Sequence, residues 1–236
     1  QTDTGVMRRI VAAIAITITA FVTAPASAVT DDALRRVDQQ RVLFGHQSVG
    51  WNILDGVNTL YGRRGITAPD VVDELPGSGP GFAQVEIGSN GDPASKIADF
   101  EQAIADQDPQ VAVMKLCFVD ITTGTKARAV FAQYQQMVAR VGQTNPGTRL
   151  VHMTVPLTVN DPASNAVRQR YNALVRKTYG TDVIDIAKIE STRPNGSRVG
   201  GTRHPALWRG YASDDGHLNT RGSVKVAKTF LAALAR

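Results

Sequence analysis

Short apolar segments alternate with helical hydrophobic patterns along most of this chain, and this alternation limits the possible folds more than any other feature. The segments predicted as strands are residues 42–44, 82–87, 111–118, 150–155 and 183–186. The predicted helices are residues 31–40, one from residue 49, one from residue 93, one around 130–141, and residues 163–179 and 220–234. This order predicts an α/β fold with a mostly parallel sheet and helices on both faces. Sites in such folds lie at the carboxyl ends of the strands.

Two irregular segments interrupt the alternation. Residues 66–81 form a connection rich in Gly and Pro, and residues 191–215 precede the last helix. Long irregular segments often carry the specificity of a site, because regular elements hold the rest of the chain in place. We therefore expect residues 66–81 and 191–211 to recognise the substrate.

The first 28 residues have the pattern of a secretory signal peptide. Arg8 and Arg9 precede the apolar residues 10–22, and the small residues Ala-Ser-Ala follow at 26–28. The apolar stretch is shorter than the roughly 20 residues of a membrane-spanning helix, which favours cleavage after residue 28 over a membrane anchor. The six residues before Met7 look like an upstream extension. We predict a secreted or periplasmic protein with no stable membrane insertion after cleavage.

Residues 29–236 are predicted to form a single domain with a sizeable core, since 42% of the chain is hydrophobic. Removing Arg8, Arg9 and Asp3 from 26 basic and 21 acidic residues leaves a net charge of +4. The basic residues are scattered and form no stripe with interleaved aromatic residues, which argues against a nucleic-acid partner. The single cysteine, Cys117, leaves no internal disulfide, and its apolar surroundings predict a buried core thiol rather than a nucleophile.

The first candidate site is the turn Gly45-His46-Gln47-Ser48, between the first apolar segment and the helix that starts at Val49. A strand that turns directly into a helix leaves this turn at the edge of the sheet, where the first amides of the helix point outward. A serine hydroxyl there can act as a nucleophile whose developing charge meets these amides. It can also cap the helix, which is the commoner role of serine in this place.

The second candidate site is Asp214-Asp215-Gly216-His217-Leu218-Asn219, just before the last helix. An acid three residues before a histidine can hold one nitrogen of the ring and leave the other free to accept a proton from a hydroxyl. The alternative is a capping loop in which Asn219 or Thr220 caps the helix and His217 is solvated.

The remaining histidines have competing interpretations. His46 can donate to an oxyanion or assist substrate binding, but a structural hydrogen-bonding role at the rim is favoured. His152, inside an apolar segment, is expected to be a satisfied core or rim residue, and His204 lies in the irregular segment that could shape a pocket. The spacings match no metal motif and no phosphate-binding loop, so we expect neither a metal nor a cofactor.

Together, Asp214-x-x-His217-Leu218-Asn219 before a terminal helix, the early strand–Ser48–helix and Gly91-Asp92 opening a helix resemble the SGNH/GDSL hydrolase superfamily. The resemblance covers the chain from about residue 40 to the end. It implies a flavodoxin-like three-layer α/β/α sandwich and hydrolysis of an ester through an acyl-enzyme. It further implies that Ser48 is the nucleophile, that His217 is the base and that Asp214 orients it. Gly91 and Ser48 would supply oxyanion-hole amides.

The sequence departs from the family pattern at two places. His46-Gln47 stands where the family has Gly-Asp before the serine, and Cys117-Phe118-Val119-Asp120 stands where it has Gly-x-Asn-Asp. Val119 cannot donate the hydrogen bond of an oxyanion-hole asparagine, a loss worth about 100- to 1000-fold in turnover. Asn90, Gln47 and His46 are candidate replacements, and Asp120 could orient a neighbouring loop.

The predicted function is therefore that of an exported serine esterase acting on a small-molecule or glycan ester, with O-acyl groups on carbohydrate as a candidate substrate. The departures at Val119 and His46-Gln47 motivate an alternative, a catalytically weak or inactive relative that binds a glycan or cell-wall polymer. An O-acyltransferase that uses the same three residues is a third interpretation.

Overall fold

The computed structural model describes residues 29–236, so the predicted signal peptide lies outside the described residues. The helices in this range are α1 (Asp31–Asp38), α2 (Val49–Arg63), α3 (Pro93–Gln107), α4 (Ala127–Thr144), α5 (Pro162–Tyr179), α6 (Ile186–Ser191) and α7 (Thr220–Leu234). The strands are β1 (Arg41–His46), β2 (Val71–Val72), β3 (Gly81–Glu86), β4 (Val111–Met114), β5 (Arg149–Met153) and β6 (Val183–Ile184). Short 3-10 turns cover Phe118–Asp120, Gly180–Asp182 and Arg209–Tyr211.

The six strands form one parallel sheet in the order β2-β3-β1-β4-β5-β6. Without the two-residue β2, this is the flavodoxin-like order, with β1 between β3 and β4. Helices α1, α2, α6 and α7 pack together on one side, and α3, α4 and α5 on the other. The three-layer α/β/α fold is confirmed.

Two hydrophobic cores lie on the two faces of the sheet, because successive side chains of a strand point to opposite faces. Val42 and Phe44 of β1 join the core beneath α2 and α7, whereas Leu43 joins the core beneath α3, α4 and α5. All three side chains are fully buried. This arrangement explains why the strands read as continuous apolar runs in the sequence.

Several element boundaries differ from the predictions. The strand predicted at 111–118 ends at Met114, because the Asp120 carboxylate accepts a hydrogen bond from Cys117 N–H and holds the following residues in a turn. Strand β2 and the six-residue helix α6 were not predicted, because both are shorter than the patterns that periodicity can detect. In contrast, the helix predicted from residue 93 is confirmed, and Asp92 caps it by accepting hydrogen bonds from Ala94 and Ser95 N–H.

The connection at residues 66–81 lies at the opposite end of the sheet from Ser48. Arg41, the first residue of β1, donates from its guanidinium to the Pro76 and Gly79 carbonyls. Residues of this connection line a cavity of about 930 Å³ together with Arg41 and the end of α3. The expectation that these residues recognise substrate beside Ser48 is therefore wrong. The direction of the connection depends on which strands pair, and the local sequence does not encode this pairing.

The carboxyl ends of β1, β3 and β4 lie side by side and open into three loops. Helix α7 brings a fourth loop to the same edge, because it packs closely against α2. A Cβ on Gly56 of α2 would lie 2.3 Å from the Ser223 carbonyl oxygen of α7, so the two helix backbones are in close contact. No helix among residues 29–236 combines the length and the apolarity needed to cross a membrane.

Candidate active site

Ser48, His217 and Asp214 form a continuous chain of hydrogen bonds at this edge of the sheet. Ser48 Oγ lies 2.5 Å from His217 Nε2, and His217 Nδ1 lies 2.7 Å from Asp214 Oδ2. With Asp214 accepting from Nδ1–H, Nε2 is the nitrogen that accepts the Ser48 proton. The geometry brings together the three residues predicted to carry the chemistry, although 166 residues separate Ser48 from Asp214 in the sequence.

Ser48 does not cap α2 with its side chain, so the capping interpretation is wrong. Its backbone has φ 53° and ψ −105°, a combination that residues other than glycine rarely adopt. The hydroxyl is consequently free to face His217. Its backbone N–H is also free, since no acceptor in the described part of the chain receives it.

Asp214 is held in place by its own loop. Its Oδ1 accepts hydrogen bonds from Gly216 and His217 N–H, each at 2.8 Å, and these two bonds lower the pKa of the carboxyl group below its usual value. Asp214 is thus a carboxylate at neutral pH and orients the imidazole. Asn219 caps α7 by accepting from Gly222 N–H, so the capping role expected there coexists with the position of His217.

Two residues that the sequence analysis missed support His217. Asn52, four residues after Ser48 on α2, accepts a hydrogen bond from Leu218 N–H at 3.0 Å and so ties the histidine loop to the helix of the serine. The Phe118 ring packs edge-on against His217, with centroids 5.7 Å apart. The position of Asn52, one helical turn after Ser48, was the only sequence signal for this contact.

His46 is fully buried, and neither ring nitrogen has a hydrogen-bond partner among the described residues. Burial, with a further contribution from Lys115, lowers its pKa to about 3, so the ring is neutral. It packs between Phe44 and Trp51 beneath the start of α2, where a Cβ on Gly50 would lie 2.3 Å from the ring. The expected hydrogen-bonding role at the rim is therefore wrong, and His46 acts as a packing residue.

Gln47 joins the loop of the serine to the loop after β3. Its side-chain amide donates to the carbonyls of Ile87, at 2.9 Å, and Gly88, at 2.5 Å. Both hydrogens of the amide group are thereby used. Gln47 positions the loop, and its side chain has no donor left for a substrate.

A buried ion pair joins the loops after β3 and β4 across the end of β1. Lys96 and Asp120 are almost completely buried, and Lys96 Nζ lies 2.8 Å from Asp120 Oδ2. Asp120 Oδ1 also accepts from Gly91 N–H at 2.8 Å. Lys96 Nζ donates in addition to Asn90 Oδ1 at 2.8 Å.

These contacts change the role that the resemblance implies for Gly91. Its N–H already donates to Asp120, so it is not free to serve as an oxyanion-hole amide in this structure. Asp120 instead orients the loop of Gly91, as the alternative interpretation of this residue expected. Val119, next to Asp120, is 38% exposed and offers no hydrogen-bond donor from its side chain.

The other predicted positions lie outside this chain of contacts. His152 is buried against Tyr134 and Tyr179, with Nδ1 2.9 Å from the Tyr134 hydroxyl, which confirms the satisfied core histidine. Cys117 is the predicted buried thiol and lies 3.1 Å from Lys115 Nζ. His204 is exposed. Residues 29–236 contain no group of three or more His, Cys, Asp or Glu side chains that could hold a metal ion.

Comparisons with known proteins identify the family and the fold of the chain. The family model of the GDSL-like lipase/acylhydrolase family matches residues 52–224, a range that includes Asp214 and His217 and begins just after Ser48. A search of curated proteins finds no match.

Three solved structures share the fold at low sequence identity. The acetyl xylan esterase AlAXEase is 18% identical with a TM-score of 0.51, over 81% of this chain and 98% of its own. A putative GDSL-like lipase from Parabacteroides merdae is 14% identical with a TM-score of 0.55, over 82% of this chain and 94% of its own. A putative lipolytic protein of the G-D-S-L family from Desulfitobacterium hafniense is 9% identical with a TM-score of 0.53, over 81% of this chain and 98% of its own. The chain belongs to the GDSL-like lipase/acylhydrolase family, within the SGNH/GDSL superfamily, and is a hydrolase that acts on esters.

Proposed function

We propose that this protein is an exported serine esterase that cleaves carboxylic esters through an acyl-enzyme formed on Ser48. The observation that supports the proposal is the continuous chain from Ser48 Oγ through His217 to Asp214 at the carboxyl edge of the sheet. The order of roles along this chain is that of a nucleophile, a base and a residue that orients the base. Export rests on the pattern of residues 1–28 alone.

In the first half of the reaction, Ser48 Oγ attacks the ester carbonyl carbon while His217 Nε2 accepts the hydroxyl proton. The carbonyl oxygen gains the negative charge and receives a hydrogen bond from the free Ser48 N–H. The ester C–O bond then breaks, and the leaving alcohol takes the proton from His217. Asp214 remains a carboxylate and stabilises the imidazolium that forms between these steps.

In the second half, a water molecule loses a proton to His217 and attacks the acyl-enzyme. Collapse of the second tetrahedral intermediate releases the carboxylic acid and returns the proton to Ser48 Oγ. The His217 side chain is 36% exposed, so water can reach the base from the solvent side. This access gives water the path to the base that hydrolysis requires.

An exposed indole beside the nucleophile supports an ester on a carbohydrate as the substrate. Trp51 follows Ser48 by one turn of α2 and is 43% exposed. Its Nε1–H donates to Glu86 Oε1 at 3.0 Å, and the indole packs edge-on against His46, so the ring is held in one orientation. A fixed, exposed aromatic face binds the apolar face of a sugar ring at little cost in side-chain entropy. Acetylated sugar polymers are also the substrates for which AlAXEase is named.

The test is hydrolysis of p-nitrophenyl acetate by the purified chain from residue 29, compared with the Ser48→Ala and His217→Ala variants. We expect turnover by the wild type and loss of activity to background in both variants, with unchanged circular dichroism. Wild-type activity that survives Ser48→Ala would disprove the assignment of the nucleophile. A wild type that is inert towards this ester and towards acetylated xylo-oligosaccharide would disprove the proposed activity.

A further inference from the structure

A second hydrogen-bond donor is needed for the oxyanion, and the described contacts leave few candidates. The Ser48 N–H supplies one donor, but the Val119 side chain supplies none. The Gly91 N–H donates to Asp120, and both hydrogens of the Gln47 amide are taken by backbone carbonyls. His46 lies beneath α2 with no exposed atom that could reach a substrate.

Asn90 differs from these residues because its amide group is oriented and unused. Its Oδ1 accepts a hydrogen bond from Lys96 Nζ at 2.8 Å. An ammonium group can only donate, so this contact fixes which end of the carboxamide faces Lys96. The opposite end, Nδ2, donates to no group in residues 29–236, and Asn90 is exposed at the rim.

The buried ion pair holds this carboxamide in a defined place. Lys96 has no exposed surface and is anchored by both carboxylate oxygens of Asp120, at 3.0 and 2.8 Å. Asp120 is fixed in turn by Gly91 and Cys117 N–H. A donor whose supporting contacts are already made needs little reorganisation when charge develops in the transition state.

The loops bring Asn90 to the same edge of the sheet as the nucleophile. Strand β1 lies between β3 and β4, and His46 at its end pairs with Glu86 at the end of β3. Ser48 lies two residues beyond the end of β1, and Asn90 four residues beyond the end of β3. The hydrogen bonds of Gln47 join these two loops. The ion pair between Lys96 and Asp120 connects the start of α3, which follows the Asn90 loop, to the turn after β4.

We propose that Asn90 Nδ2 donates the second oxyanion-hole hydrogen bond, with Lys96 and Asp120 as its positioning residues. This inference rests on the proposed esterase function and names the group that compensates for Val119. The oxygen of the tetrahedral intermediate accepts from Ser48 N–H and from Asn90 Nδ2, and Lys96 keeps the Asn90 oxygen turned away from the developing charge.

The test compares Asn90→Ala and Asn90→Asp with the wild type in steady-state hydrolysis of p-nitrophenyl acetate. We expect kcat to fall about 100-fold or more in both variants with KM nearly unchanged, because the lost bond forms only in the transition state. The aspartate keeps the contact with Lys96 but replaces the donor with a negative charge, so it tests this position while the loop stays in place. Ser89→Ala, in the same loop, is the matched control and should retain wild-type kcat.

A rescue variant gives an independent readout. Val119 is exposed beside Asp120, at the position where the family pattern has an asparagine. The double variant Asn90→Ala/Val119→Asn should therefore have a kcat at least tenfold higher than that of Asn90→Ala alone. Asn90→Ala with wild-type kcat would overturn the inference while leaving the esterase function intact. A folded Asn90→Ala variant with a raised KM and an unchanged kcat would also overturn it. A wild type without Ser48-dependent activity would overturn both proposals.

Discussion

At the scale of single residues, Ser48 combines an unfavourable backbone with a free hydroxyl. A non-glycine residue at this φ and ψ costs about 1–3 kcal/mol, which the surrounding structure must offset. Gly50 lies in the turn that follows, and its missing Cβ leaves room for the His46 ring beneath the start of α2. The strain therefore serves the site, since an unstrained N-cap serine would direct its oxygen to its own helix.

Asp214→Asn should lower kcat about 1000- to 10,000-fold without unfolding the protein. The asparagine oxygen can still accept the Gly216 and His217 N–H bonds, but its NH2 group then faces His217 Nδ1. The ring would place its proton on Nε2, which could no longer accept the proton of Ser48. Steady-state kinetics with a thermal melt as the folding control measure this effect. A variant with wild-type kcat would show that Asp214 does not set the tautomer.

Trp51→Ala should separate sugar binding from ester chemistry. We expect kcat/KM for acetylated xylo-oligosaccharide to fall about tenfold, a loss typical of one aromatic contact, while kcat/KM for p-nitrophenyl acetate changes less than twofold. Val72→Ala, another exposed hydrophobic residue at the far edge of the sheet, is the matched control. Equal losses on both substrates would mean that Trp51 supports the nucleophile rather than a sugar ring.

At the scale of elements, a buried ion pair joins two of the loops of the site. The Lys96–Asp120 pair links α3 to the 3-10 turn after β4 and satisfies amides from both loops. Replacing one member of such a pair leaves the other buried without a partner, which costs more than the pair contributes by itself. The pair is therefore expected to fix the conformation of the rim.

Lys96→Met should destabilise the fold by about 3–5 kcal/mol, measured as the free energy of unfolding in urea. The double variant Lys96→Met/Asp120→Asn should be less destabilised than the single one, because no unpaired charge remains. Arg140→Met, which breaks an exposed ion pair with Glu101, should leave the free energy of unfolding nearly unchanged, because water screens the pair. If the free energy of unfolding lost in the double variant equals the sum of the losses in the two single variants, Lys96 and Asp120 are not energetically coupled.

The sequence predicted the elements whose signals are local. The alternation of strands and helices, the Asp92 cap and the start of α7 at Thr220 all follow from spacing within a few residues. It did not predict the pairing of Lys96 with Asp120, because the partners are 24 residues apart and a lysine on a helix normally faces solvent. The position of residues 66–81 was missed for the same reason, since it follows from strand order.

The candidate triad was proposed from the residue types at two loop sites, and the resemblance then implied one role for each residue. Periodicity placed Ser48 and His217 at the same edge of the sheet, but it did not decide between a nucleophile and a helix cap. The decision needs the positive φ of Ser48 and its 2.5 Å contact with His217, which are tertiary features. The sequence also does not show that the side-chain amide of Gln47 donates both of its hydrogens to backbone carbonyls.

At the scale of the whole molecule, three fully or nearly buried groups make the stability depend on pH. The two histidines act in one direction and the glutamate in the other. Burial lowers the pKa of His46 to about 3 and that of His152 to about 4 from a usual value of 6.5. The folded state thus binds fewer protons at these groups, and their contribution rises with pH until about 6.5. Burial raises the pKa of Glu190 from 4.5 to about 8, so its contribution falls as the pH rises from about 4.5 to about 8.

Above pH 6.5, Glu190 is therefore the group among these three that still changes stability. The carboxyl group accepts from Leu157 N–H through Oε1, and Oε2 has no partner in the described residues. Glu190→Gln keeps the acceptor and removes the ionisation, so the wild type should lose about 2 kcal/mol relative to this variant between pH 6.5 and 8. Urea unfolding at both pH values measures the difference, with the exposed Glu74→Gln as a control that follows the wild type. If Glu190→Gln also follows the wild type, the carboxyl group is already ionised in the folded state at pH 6.5, and the expected rise of its pKa is wrong.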